Sequence, residues 1–145
     1  PYTVKIVGDQ NGVVTHLRLW GTEPSDLQKH QDEGYLKMVS QIDDHLYPDD
    51  STDQGKTLRL TQSYVFSAAG VQQAIREHRN LGRDLRHFHH YYAFQLNDTH
   101  PTLVIPEMMR ILMDEEHLGY DEAWKITTQT CAFTNHTILS EALEK

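Results

Sequence analysis

Two short polar segments contain the residue types that recognise sugars. Residues 97–100 read NDTH and residues 134–137 read TNHT, so together they supply amide, carboxylate, imidazole and hydroxyl groups. Each sugar hydroxyl both donates and accepts a hydrogen bond, and this mixture of side chains can do both. The same residues also have structural uses, because Asp98 and Thr99 can cap the helix that follows and the asparagines can occupy turns. The residues alone leave a hydroxyl-rich ligand and a structural role both open.

The elements around these segments are predicted to alternate between strands and helices. Short apolar runs at 93–96 and 132–133 come directly before the two polar segments, and helical patterns separate them. Alternation of this kind indicates a parallel sheet, and ligands bind outside the carboxyl ends of its strands. We therefore expect an α/β fold, a partial parallel (Rossmann-like) sheet with flanking helices and an N-terminal β-strand or hairpin segment. Both polar segments should face one crevice.

The N-terminal hairpin is predicted from two β-branched runs. Residues 2–7 and 13–20 flank a turn at 8–12, and side chains in the second run alternate as in a half-buried strand.

Four helices are predicted between the hairpin and the last strand. The first spans 35–46 and must end before Pro48, which opens a polar loop at 48–55. Residues 82–92 show no clean period and are predicted to be irregular. The third helix is expected to run to Gly119. The second helix is expected to bury one face, formed by Leu60, Tyr64, Ala68, Val71 and Ile75. The fourth helix is expected to be capped by Asp121 and to carry Trp124, Thr127, Thr128 and Cys131 on one face.

Composition argues against several classes of function. The chain has 145 residues and a formal net charge of -8, which disfavours nucleic acid as a partner. Its apolar runs are too short to cross a membrane. Cys131 is the only cysteine, so neither an intrachain disulfide nor a cysteine metal cage can form, and its apolar neighbours predict an inert thiol. The histidines His87, His89 and His90 lie in an irregular stretch, and we expect a solvated loop there and no bound metal.

Both chain ends indicate an excised piece of a longer protein. The sequence begins with Pro1, and Lys145 lies inside a helix-forming run. We therefore expect 1–145 to be a single segment of a larger domain.

Four blocks of the sequence closely resemble the α-glucan phosphorylases, which act on glycogen, starch or maltodextrin. The longest is FQLNDTHPTLVIPE at 94–107. The other three occur in the order in which the family has them, namely LRLW at 17–20, LYPDD at 46–50 with GK and LRL at 55–60, and TNHT at 134–137 with EALE at 141–144. The resemblance covers nearly the whole chain and implies an internal segment of the N-terminal domain.

The resemblance implies an activity for the full-length protein. That family transfers terminal α-1,4-glucosyl units to inorganic phosphate and yields glucose 1-phosphate, using pyridoxal 5'-phosphate bound to a lysine of the C-terminal domain. We also expect the full-length protein to be cytoplasmic and a homodimer, with neither nucleic acid nor a membrane as a partner. Because the cofactor domain is missing from this segment, we expect the fragment alone to bind no cofactor, to be inactive and to self-associate.

The resemblance also implies roles for individual residues. His136 would lie beside the transferred glucosyl unit and bond its 6-hydroxyl, with Thr137 in the adjoining layer. Asp98 and His100 would line a polar pocket beside the anomeric side of the ring, with Glu144 behind them.

A second set of implied roles concerns entry and regulation. Asp49, Asp50 and Ser51 would belong to a mobile gate loop at the entrance of the site. Regulated members use three arginines to hold the phosphate of AMP. Only two match here, at Arg18 and Arg76, and because the third position is Glu77 we do not expect AMP activation. Two alternatives are a stand-alone sugar-binding or regulatory module and a histidine-rich metal-binding domain.

Overall fold

The computed structural model describes residues 1–26 and 32–138. The chain folds as two compact units, Pro1–Gln62 and Ser63–Lys145, and each is described by itself. Glu144, predicted from the resemblance as a site residue, lies outside the described residues.

The first unit begins with the predicted hairpin. Strand β1 (Tyr2–Val7) pairs antiparallel with β2 (Val14–Leu19), and Val7 lies opposite Val14. The turn closes through the amide of Gly8, which donates to the carbonyl of Val13 at 2.8 Å. The predicted half-buried character of the second strand is wrong within this unit, because five of its six residues are exposed.

Two helices follow the hairpin. Helix α1 (Glu33–Asp44) is capped by Asp32, which accepts from the amide of Gly34 at 2.8 Å, and it ends before Pro48 as predicted. Helix α2 (Asp53–Asn80) begins inside the predicted loop 48–55, which is therefore too long by three residues. The Thr52 hydroxyl accepts from the amide of Gly55 at 3.1 Å, and this cap permits the earlier start.

Helix α2 continues into the second unit and ends at Asn80, before the stretch 82–92 that is predicted to be irregular. Of the face that was predicted to be buried, Ala68, Val71 and Ile75 are buried, whereas Leu60 and Tyr64 are exposed. Gly82 closes the helix with a φ of +67° and donates to the carbonyl of Arg79 at 2.8 Å, a left-handed termination that glycine adopts without strain.

The remaining elements of the second unit differ in part from the prediction. The stretch 82–92 is not wholly irregular, because Asp84 accepts from the amide of Arg86 at 2.9 Å and starts a 3-10 helix. The third helix passes into a π-helical turn after Arg110 and ends at Glu115, so it does not run to Gly119 as predicted. The elements are the 3-10 helix (Leu85–His90), β3 (Phe94–Asn97), α3 (Val104–Arg110), the π-helical turn (Ile111–Glu115), α4 (Tyr120–Thr130) and β4 (Cys131–Thr134).

The buried face of helix α4 agrees only in part with the prediction, because Thr127 is buried as predicted and Cys131 is half-buried. Trp124 and Thr128 are exposed, whereas the buried residues are Ala123, Ile126, Thr127 and Thr130. Threonine can be buried on this face because its hydroxyl bonds to a carbonyl of the preceding turn, as Thr130 does to Ile126 at 2.8 Å. The predicted cap is also wrong. Gly119 occupies the N-cap position without a side-chain hydrogen bond, and Asp121 lies inside the first turn.

The two short strands form a parallel pair, as their alternation with helices predicts. Phe94 lies opposite Cys131 and Asn97 lies opposite Thr134. The core beneath them is continuous, with Phe88, Leu96, Met108, Leu112 and Ile126 each at most 3 % exposed. The mixed α/β class is confirmed, and within the described residues the parallel sheet has these two strands.

Candidate functional site

The candidate site lies at the carboxyl ends of β3 and β4. The strand register places Asn97 opposite Thr134, and the amide of Asp98 extends the ladder by donating to the carbonyl of Thr134 at 2.8 Å. Below this point the Gln95 amide donates to the Thr134 hydroxyl at 2.7 Å. The expectation that the two polar segments meet is confirmed.

Asp98 holds the backbone of the second segment. Its φ of +59° lies in the left-handed region, which aspartate tolerates better than most residues. One carboxylate oxygen, Oδ1, accepts from the backbone amide of His136 at 2.6 Å. The alternative in which Asp98 caps α3 is wrong, because Leu103 occupies that N-cap position without a side-chain bond.

The imidazole of His136 is held by a second bond. Its Nε2 lies 3.0 Å from Oδ1 of Asn97, the residue directly before Asp98. Both His136 and Asn97 are exposed, so the ring is held by hydrogen bonds at a surface that a ligand can reach. The sequence leaves Asn97 open between a ligand-binding and a turn role, and only the structure shows that its side chain contacts His136.

The other predicted residues of this site lie in the same two segments. His100 is exposed in the turn that leads to α3, and Thr137 is half-buried. The amide of Thr137 donates to Oδ1 of Asn135 at 2.9 Å, which fixes the turn after His136. The carboxylate, the imidazole and the hydroxyl are thus concentrated at one end of the sheet, a composition that suits a polyhydroxylated ligand.

The predicted gate-loop residues belong to the first unit. Oδ1 of Asp49 accepts from the amide of Ser51 at 2.9 Å, and this hydrogen bonding lowers the pKa of Asp49. Asp50 forms an ion pair with Arg59 of α2 at 2.7 Å. Gly55 packs so closely that a Cβ there would overlap the carbonyl oxygen of Asp49. The loop is therefore attached to the start of α2 at two points.

The histidine cluster of the second unit, His87, His89 and His90, lies on the 3-10 helix. His89 and His90 have ring centroids 4.3 Å apart, beside a cavity of about 600 Å³ between the 3-10 helix and α4. Burial, and secondarily the charges of His90, Lys125 and His87, lower the pKa of His89. No group of three histidine, cysteine, aspartate or glutamate side chains in residues 1–26 and 32–138 has a geometry that could hold a metal ion.

Two further groups bear on cofactors and reactivity. Burial raises the pKa of the Cys131 thiol, which agrees with an inert cysteine. The residues that join the two polar segments at the strand ends, Asn97, Asp98 and His136, offer no amine to which pyridoxal phosphate could be attached. In the part of the chain that the structure describes, no helix is long and apolar enough to span a membrane.

Comparison with known proteins gives one consistent family. A sequence model of the family described as "Carbohydrate phosphorylase" matches residues 1–145. Glycogen phosphorylase 2 of Dictyostelium discoideum is 46% identical over 99% of this chain and 15% of its own length. The glycogen phosphorylase of Bacillus subtilis (strain 168) is 43% identical over the whole chain and 18% of its own length.

An animal relative agrees with these matches. The muscle form of glycogen phosphorylase from Oryctolagus cuniculus is 42% identical over the whole chain and 19% of its own length. The chain thus spans less than a fifth of the length of the relatives it matches. Because the match extends over every residue, from the hairpin to the site at the strand ends, the chain belongs to the carbohydrate phosphorylase family.

Proposed function

We propose that the full-length protein containing this segment is an α-1,4-glucan phosphorylase. It transfers terminal glucosyl units of glycogen, starch or maltodextrin to inorganic phosphate and releases glucose 1-phosphate. The observation that carries the proposal is the convergence of Asp98 and His136 at the strand ends, in a chain whose relatives are named glycogen phosphorylases. We place the protein in the cytoplasm as a homodimer, by analogy with that family.

In this proposal the segment supplies one wall of the substrate cleft. His136 bonds the 6-hydroxyl of the transferred glucosyl unit. This role is supported by the exposure of its ring and by Asp98, which holds its backbone amide. The remaining wall residues are Asp98, His100, Thr137 and Glu144. Positive charge develops on the sugar during transfer, and carboxylate and carbonyl oxygens fixed nearby stabilise it.

Two other parts of the proposal involve residues outside this wall. The gate loop with Asp49, Asp50 and Ser51 controls entry of the glucan, and its ion pair to Arg59 sets the resting position of the loop. Pyridoxal 5'-phosphate, bound outside this segment, supplies acid-base chemistry at the substrate phosphate. No described residue of the strand-end site takes part in that binding.

The test is phosphorolysis by the purified full-length protein. Maltoheptaose is incubated with and without inorganic phosphate, and glucose 1-phosphate is quantified with a coupled assay. We expect product only when both phosphate and glucan are present. Sugar binding without any phosphate-dependent product would contradict the proposal and favour the stand-alone sugar-binding module.

A further inference from the structure

The hydrogen bond between Asn97 and His136 determines which ring nitrogen carries the proton. The Asn97 atom in contact is Oδ1, a carbonyl oxygen, and it lies 3.0 Å from Nε2. A carbonyl oxygen only accepts, so the hydrogen must be on Nε2. In a neutral imidazole the other nitrogen, Nδ1, then has a free lone pair and can only accept.

The strand holds the backbone of Asn97 in place, so this end of the hydrogen bond is fixed. Asn97 is the last residue of β3 and pairs with Thr134 across the ladder. Leu96, directly before it, is 3 % exposed and anchors the strand in the core. Asp98, directly after it, holds the backbone amide of His136 at 2.6 Å. Two consecutive residues thus fix the ring and the main chain of one histidine.

We propose that Asn97 is a positioning residue, which holds His136 in the tautomer protonated at Nε2 and leaves Nδ1 to accept from a hydroxyl of the bound sugar. The inference rests on the proposed function, because it requires that His136 contacts the transferred glucosyl unit. Asn97 does not touch the sugar. It acts by excluding the tautomer in which Nδ1 carries the hydrogen and cannot accept.

The chain offers a matched control for this proposal. Gln95 lies two residues before Asn97 on the same face of β3, is also exposed, and bonds to the Thr134 hydroxyl without contacting His136. The changes Asn97→Leu and Gln95→Leu therefore each remove one amide from the same strand face. A structural role in the sheet predicts similar effects for both, whereas a positioning role predicts a kinetic effect for Asn97→Leu alone.

Kinetics of the full-length holoenzyme separate these alternatives. Loss of a partner that orients a functional histidine lowers activity by about tenfold to a hundredfold. We expect Asn97→Leu to lower kcat in that range with little change in KM for maltoheptaose, and Gln95→Leu to leave kcat near that of the unchanged protein. With a maltooligosaccharide whose terminal unit is 6-deoxyglucose, the effect of Asn97→Leu should disappear. Equal losses in both leucine variants, or a loss that persists with the 6-deoxy substrate, would overturn the proposal.

The conservative variant supplies a readout independent of turnover. In Asn97→Asp the side chain still accepts from Nε2, and its negative charge favours the imidazolium, so the pKa of His136 must rise. Exchange of the histidine C2 proton, followed by mass spectrometry across pH, measures this pKa directly. We expect it to rise in Asn97→Asp and the acid limb of the pH–rate profile to move to higher pH. An unchanged His136 pKa would refute the contact, whereas a raised pKa in a protein without phosphorolysis would refute only the proposed function.

Discussion

Glu107 is the most deeply buried carboxylate among the described residues of the second unit, and its replacement tests the packing of α3 against α2. The residue is 3 % exposed. Its oxygens accept two bonds from Arg110 at 2.9 Å, one from Tyr64 at 3.1 Å and one from Gln72 at 3.1 Å. Hydrogen bonding to Arg110, opposed by burial and assisted by Gln72 and Tyr64, lowers the pKa of Glu107. Burial, and secondarily the same carboxylate, raises the pKa of Tyr64.

The expected loss of stability depends on which polar groups each substitution leaves without a partner. Removing one partner of a fully buried ion pair costs about 3–5 kcal/mol. The side chain of Arg110 is 39% exposed and can turn to water, so the cost of its unpaired charge is smaller here. We therefore expect Glu107→Ala to destabilise α3 by about 2–3 kcal/mol, because Tyr64 and Gln72 lose a charged acceptor. Glu107→Gln keeps the shape and one acceptor oxygen, so about 1–2 kcal/mol is expected.

Local hydrogen exchange in the full-length protein measures these free energies. Amides of α3 and of the facing part of α2 report their opening separately from the rest of the molecule. The matched control is Glu115→Gln, because Glu115 also pairs with Arg110, at 2.9 Å, but its side chain is 50% exposed. An exposed pair contributes at most about 1 kcal/mol. Equal losses of protection in Glu107→Gln and Glu115→Gln would refute the assignment of stability to the buried carboxylate.

The pH dependence of α3 stability provides a second check, because the lowered pKa of Glu107 determines its direction. Because the pKa of Glu107 is lowered in the folded state, its stabilisation is complete above the unfolded value near 4.5 and is lost as pH falls through the folded pKa. Protection of α3 should therefore fall on acidification below about pH 4.5 in the unchanged protein, with a weaker fall in Glu107→Gln. The same acid slope in both proteins would show that other carboxylates are responsible.

Three further outcomes are expected. If the full-length protein has the proposed activity, His136→Ala should lower kcat by about two to three decades, or ~2–4 kcal/mol. A raised KM with unchanged kcat would mean that the histidine only binds the ground state. Gly55→Ala should increase hydrogen exchange in the segment 48–53, because the new Cβ overlaps the carbonyl of Asp49. Gly70 has open space around it, so Gly70→Ala should stabilise α2 by about 0.5–1 kcal/mol. The isolated 145-residue chain should show no pyridoxal phosphate absorbance and no glucose 1-phosphate release, and sedimentation should show self-association.

Elements with a strong local signal were predictable from the sequence. The hairpin followed from two β-branched runs around a turn, and the parallel pair followed from the alternation of strands and helices. The meeting of the two polar segments followed in turn from the rule that parallel strands end at the same edge. In each case the pattern lies within a few consecutive residues, or the rule depends only on element order.

The errors occurred where contacts distant in sequence decide the outcome. Helix α4 exposes Trp124, which its local pattern predicts to be buried, and buries Ala123 in the core cluster of the second unit. The bonds from Asn97 and Asp98 to His136 span 39 and 38 residues, so no local pattern indicates them. Asp98 looked like a helix cap because caps share its residue type, and only its left-handed backbone and the strand pairing reveal its partner.

The precision of the strand-end site therefore depends on strand register more than on burial of its own residues. Asn97 and His136 are exposed, so bulk packing does not hold them. Along β3 the pattern is exposed Gln95, buried Leu96 and exposed Asn97, and a slip of one residue would turn Leu96 to solvent and Asn97 into the core. Burial of one leucine thus selects the register that brings an amide to an imidazole 39 residues away. Substitution of Leu96 should accordingly displace the His136 ring as well as lower the stability of the fold, although Leu96 does not belong to the site itself.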